Sequence, residues 1–207
     1  MDAEEREQLR KALKGIMSNR AEERQTLESA LQEFSTRLFA ALEHVLDEMK
    51  ADDVPGLGKY RRLAHPNAKG REAFQMFVED WSIIFVPLSG IARPNPLDEA
   101  LVAQIFFKQP SARIAVFLSD DPHGEAFYDF LIFSDRSWFA WGYGWPRQQS
   151  DIENTDFDEL ALGLVHSFSK DIFTTWHTRA ETHLAEALDV KKRCYTFGLP
   201  GEEQRGG

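Results

Sequence analysis

Apolar residues recur every three or four positions through the first fifty residues, every second position over much of 72–145, and every three or four again from 157 onward. The first stretch predicts helices. Leu9, Leu13 and Ile16 mark a short helix over 4–17, and Ser18 or Asn19 is placed to cap a second over 20–50. Its stripe is Leu27, Ala30, Leu31, Phe34, Leu38, Ala41, Leu42, Val45, Leu46 and Met49. This is wider than a coiled-coil seam, so the helix is expected to pack on a body, with dimerisation through it as a further use. Glu22, Glu23, Glu28, Arg37, Glu43, Asp47 and Glu48 fall off the stripe or on its border and read as a solvated face.

The middle of the chain alternates as strands do. Glu72–Val78 places Phe74, Met76 and Val78 on one face, and 81–86 follows. Arg113–Ser119 alternates through Ile114, Val116 and Leu118. Residues 126–133 are apolar on both faces apart from Asp129, as in a central strand, and Ser137–Trp145 is the next. Asp121-Pro122-His123-Gly124 suits a type I turn, and 134–137 is a second tight connection, so the last three strands form a meander. Asn95-Pro96-Leu97-Asp98 has the residues of a helix start, with the helix running to Phe107, although 101–107 also reads as a strand. Thr155, with Asp158 three residues on, resembles a capping box for a C-terminal helix through Phe157, Leu160, Ala161, Leu164, Phe168, Ile172 and Trp176. A restart at Thr178 carries it to Lys191-Lys192-Arg193.

The expected fold is α+β: an antiparallel sheet of about five strands in the order β-β-α-β-β-β, flanked by long N- and C-terminal helices. This element order resembles that of profilin-like, longin, roadblock, PAS and GAF domains, which implies a sensory or adaptor scaffold. The expected division is a helical arm over 1–53, a basic Gly/Pro loop over 54–71, the α+β domain over 72–193 and a tail over 194–207.

Composition narrows the classes. The hydrophobic fraction of 43% and 16 Phe supply a core, so the chain folds. A net charge of −10 disfavours generic duplex binding. The single cysteine, Cys194, rules out an internal disulfide and a Cys-based zinc site. No run is long and apolar enough for a membrane span, and no signal-type segment is seen, so a cytoplasmic location is expected.

Two constellations stand out. Phe139, Trp141, Tyr143 and Trp145 alternate on one face of a strand whose other face is Ala140, Gly142 and Gly144. Four aromatics in a row form either a core face or a platform for a ligand or partner. Lys59, Arg61, Arg62, Lys69 and Arg71 are five cations without an acid between them, and form either an anion-binding loop or a solvated balance to the acidic helices. Asp120, Asp121, His123 and Glu125 share a hairpin, but turn chemistry accounts for most of them. No catalytic set, metal site or cofactor motif is found, and His166, His177 and His183 do not have the spacing of a zinc helix.

The sequence therefore points to a non-enzymatic regulatory or adaptor protein that binds a protein partner or small ligand through its α+β domain and assembles through its N-terminal helices. The alternatives are an enzyme on a nucleotide or other phosphorylated substrate, a ligand-sensing module, and an acidic defence or counter-defence factor.

Overall fold

A computed structural model describes residues 3–65, 68, 70–88, 111–118, 126, 128–142 and 148–171. Helix α1 (Ala3–Ala51) leads into strands β1 (Lys59–Ala64), β2 (Glu72–Val78), β3 (Trp81–Leu88), β4 (Ser111–Leu118), β5 (Tyr128–Phe133), β6 (Ser137–Gly142) and β7 (Gln148–Asp151). Helix α2 (Phe157–Asp171) follows. The strands form one antiparallel sheet in sequential order, a seven-stranded meander.

All five expected strands are present, and two more flank them. β1 lies inside the segment expected to be a loop, and β7 lies before the acidic turn. Among the described strands both lie at the sheet's edges, pairing with β2 and β6 respectively. An edge strand needs little apolar patterning, because one face and one side meet solvent. KYRRLA and QQSD accordingly lack the alternation that marks the inner strands. The expected helix over 96–107, the hairpin over 120–125, the helix beyond 171 and the tail lie outside the described residues.

The two expected N-terminal helices are one helix of 49 residues. Ser18 and Asn19 lie in its exposed interior, where a polar side chain faces water and the backbone ladder continues. The helix ends in a Schellman motif: Val54 N–H donates to Met49 O at 2.9 Å, Asp53 N–H to Lys50 O at 3.3 Å, and Asp53 takes φ 52°. The chain then turns back tightly at Gly58, whose φ is +88° and whose missing Cβ would sit 2.7 Å from Lys50 Cβ. This return seats β1 against the last turns of α1.

Core packing follows from register. Phe74, Phe85, Val116 and Tyr128 lie side by side across β2–β5. With Phe130, Ile132, Trp138 and Ala140 they make the face that receives both helices. Of the ten expected stripe residues of α1, all but Met49 are buried. Phe34 sits at the centre, with its ring 5.2–5.6 Å from those of Phe130, Trp138 and Phe157. Each fully buried Leu or Phe contributes roughly 1.5–3 kcal/mol, so this layer is the main source of stability. α2 closes it with Phe157, Leu160, Ala161, Leu164, Val165 and Phe168. Its N-cap is Asp156 rather than Thr155: Asp156 Oδ1 accepts from the N–H groups of Asp158 and Glu159 at 3.1 and 3.0 Å. Thr155 Oγ1 instead donates to Asp151 O at 2.6 Å and accepts from Trp138 Nε1 at 2.7 Å, tying the helix entry to β6 and β7.

Candidate functional site

The sheet's second face carries the aromatic strand. Trp138 and Ala140 point to the helices, so strand alternation puts Phe139 on the other side, opposite Leu131 and Gln149 in register. Phe139 is buried. Trp141 pairs with Asp129 in the register of β5 and β6. Tyr143 and Trp145 lie outside the described residues. The small residue Ala140 lies against the helical layer, which allows close approach there.

This second face also holds a pair that sequence reasoning missed. Arg113 on β4 and Asp129 on β5 are diagonal neighbours, since Arg113 lies opposite Leu131 and Asp129 opposite Ala115. Arg113 Nε donates to Asp129 Oδ1 at 2.5 Å, with the side chains 3% and 1% exposed. Burial pushes the Asp129 carboxyl up, and the adjacent guanidinium pulls it back down to a lesser extent. The signal was present: one cation and one anion, each in an otherwise apolar strand of one antiparallel pair. Arg61, Gln75 and Ser82 extend the polar character of this face. Arg61 Nε donates to Gln75 Oε1 at 2.5 Å, and Gln75 Nε2 donates to Ser82 Oγ. His65, after β1, stacks on Phe117 with 12° between the planes, and burial lowers its pKa.

The basic segment does not converge. Alternation along β1 sends Arg61 to the second face and Arg62 to the helical side. Arg62 forms a two-pronged contact with Glu43 of α1 at 2.7 and 3.0 Å and reaches Glu72 at 3.3 Å. Arg71 reaches Glu28 of α1 at 3.0 Å. Lys59 is exposed at the start of β1, and Lys69 lies outside the described residues. Tyr60 donates to the Asp47 carboxylate at 3.1 Å, and burial, reinforced by this contact, raises the phenol's pKa. Arg62 and Arg71 thus tie β1 and the β1–β2 connection to the acidic border of α1.

Among the described residues, the most exposed apolar feature is the first half of α1. Residues 4–26 are exposed throughout, and the helix docks on the sheet only from Leu27. At 1.5 Å per residue this arm extends about 35 Å from the body. Along it Leu9, Leu13, Ile16 and Met17 are 54%, 59%, 52% and 61% exposed. These four large apolar side chains lie on one side of a helix of otherwise mixed charge.

Among the described residues, no three His, Cys, Asp or Glu side chains are grouped to hold a metal ion. Among them also, no helix is long and apolar enough to cross a membrane. Neither a protein-family model, nor a curated protein, nor a solved structure matches this chain.

Proposed function

We propose that the protein is a regulatory or adaptor protein without catalytic chemistry of its own, which assembles through its N-terminal helix and presents the α+β body to a protein partner or small ligand. The observation that carries this reading is the division of α1. One half is core, and the other half is an exposed rod with an apolar stripe. A helix built only to stabilise the sheet has no use for twenty further residues with leucines facing water. The rigid continuation makes the body's position depend on what the arm holds.

The partner or ligand surface is proposed on the aromatic run Phe139, Trp141, Tyr143 and Trp145, of which Phe139 is already buried and would support the contact from beneath. The buried Arg113–Asp129 pair lies on the same face of the sheet as Phe139 and ties β4 to β5 there. Sedimentation velocity over a hundredfold concentration range tests the assembly. The wild-type sedimentation coefficient is expected to rise with concentration. Leu13→Asp is expected to abolish the rise without changing the near-ultraviolet circular dichroism of the body, since residue 13 is far from the core. A coefficient independent of concentration in the wild type would refute assembly through this helix.

A further inference from the structure

We infer that the arm's partner is a second copy of this chain, paired antiparallel about a two-fold axis that passes between Lys14 and Gly15. This inference rests on the assembly reading above and specifies its partner and geometry.

The first step concerns orientation. Leu9 and Leu27 are eighteen residues apart, about five turns of helix, so they fall on one line along α1. Leu27 is buried on the body, whereas Leu9 is exposed. The arm's apolar stripe therefore faces the side on which the chain's own sheet lies further along the helix. A parallel in-register partner helix on that side would run through the space the sheet occupies beyond residue 27. An antiparallel partner leaves in the other direction, with its own body beyond the opposite end of the arm.

The second step concerns register. Read as a heptad seam, the arm has Arg6, Leu13 and Arg20 in one core row and Leu9, Ile16 and Glu23 in the other. An antiparallel pair sets one row against the other. Centring it between residues 14 and 15 places Leu13 against the partner's Ile16, and Ile16 against the partner's Leu13. Leu9 then meets the partner's Arg20, whose aliphatic stem can cover it while the guanidinium stays in water. Arg6 meets the partner's Glu23, and Glu23 the partner's Arg6, so both ends of the contact are closed by opposite charges. In the same register Glu4 lies opposite the partner's Gln25, so the paired segments stop where Leu27 begins to dock on the sheet. Stripe, end charges and available length thus agree on one register. The contact is isologous and closes at two copies. With few apolar layers it is weak, with a dissociation constant on the order of 10–100 µM, as expected of a small interface.

The test uses the full chain carrying Cys194→Ser, with cysteines introduced singly. Under mild oxidation a mixture of the Arg6→Cys and Glu23→Cys chains is expected to form a mixed disulfide dimer, and Arg6→Cys alone is not. In sedimentation, Arg6→Glu is expected to weaken association about tenfold, since both end pairs become repulsive. Adding Glu23→Arg to the same chain is expected to restore it to within about twofold. An Arg6→Cys homodimer with no mixed dimer would overturn the antiparallel register and leave assembly through the arm standing. Absence of any self-association would sink both. So would a dimer indifferent to Leu13→Asp, which would be held elsewhere. A monomer that binds anionic phospholipid vesicles, and loses that binding in Leu13→Asp, would show that a lipid surface covers the stripe instead.

Discussion

The Arg113–Asp129 pair offers a sharp test of the fold, because its two halves respond differently to losing their partner. Removing one member of a buried ion pair leaves an uncompensated charge, at a cost of about 3–5 kcal/mol. Arginine cannot shed its proton within the protein range, so Asp129→Leu should incur that cost in full. The converse variant, Arg113→Met, leaves a carboxyl that burial already pushes upward, and without the guanidinium it rises further. That group can enter the fold protonated. A carboxyl whose folded pKa exceeds its unfolded value of about 3.9 contributes stability that is present at low pH and lost as pH rises through the folded pKa. Arg113→Met should therefore be nearly tolerated at pH 5 and clearly destabilised at pH 8, while Asp129→Leu is poor at both. Arg113→Met with Asp129→Leu replaces the pair by apolar groups and should return to within about 2 kcal/mol of wild type. Urea unfolding followed by circular dichroism at the two pH values provides the readout, with an unchanged m-value confirming that the folds are comparable. Additive losses in the double variant would refute a mutually dependent buried pair, and so would an Asp129→Leu protein as stable as wild type.

Other consequences are local. His65 is buried against Phe117, and that burial lowers its pKa and so favours its neutral form. Its contribution is present above the unfolded value of about 6.5 and is lost as pH falls below it, at up to about 1.4 kcal/mol per pH unit. His65→Phe should flatten the stability profile between pH 7.5 and 5.5 relative to wild type, and an identical slope in the two proteins would contradict this. Gly58 and Gly70 both hold positive φ, but a Cβ at 58 would meet Lys50 at 2.7 Å whereas one at 70 meets nothing within 4 Å. Gly70→Ala should cost about 1 kcal/mol of backbone strain, and Gly58→Ala clearly more, as read by the thermal midpoint. Equal losses would mean that the return of the chain against α1 is looser than described.

The inner strands were legible because burial on both faces or one imposes an apolar pattern. Glu72–Val78 is a strand over the residues read from its alternation. The stripe of α1 from Leu27 to Leu46 was legible for the same reason. β1 and β7 were not, since pairing to β2 and β6 through the backbone defines them and leaves their side chains free to be polar. The continuity of α1 through Ser18 and Asn19 was hidden by residues that serve equally as caps and as exposed helix positions. Spacing could find the aromatic alternation at 139–141 but not its face, which is set by the packing of Trp138 and Ala140 on α1 and α2. The Arg113–Asp129 contact required the diagonal of an antiparallel register, which neither strand carries by itself. The arm was seen as Leu9, Leu13 and Ile16, yet nothing in those residues says that the sheet begins only at Leu27.

The central claim is that α1 is half core and half association surface. Amide hydrogen exchange of the whole chain, measured at low micromolar and at several hundred micromolar protein, tests it most directly. Residues 27–46 should be protected at both concentrations. Amides over 7–24 should exchange quickly in the dilute sample and become markedly slower in the concentrated one, with Leu13→Asp removing that gain. Arm exchange that is fast and the same at both concentrations would contradict the account.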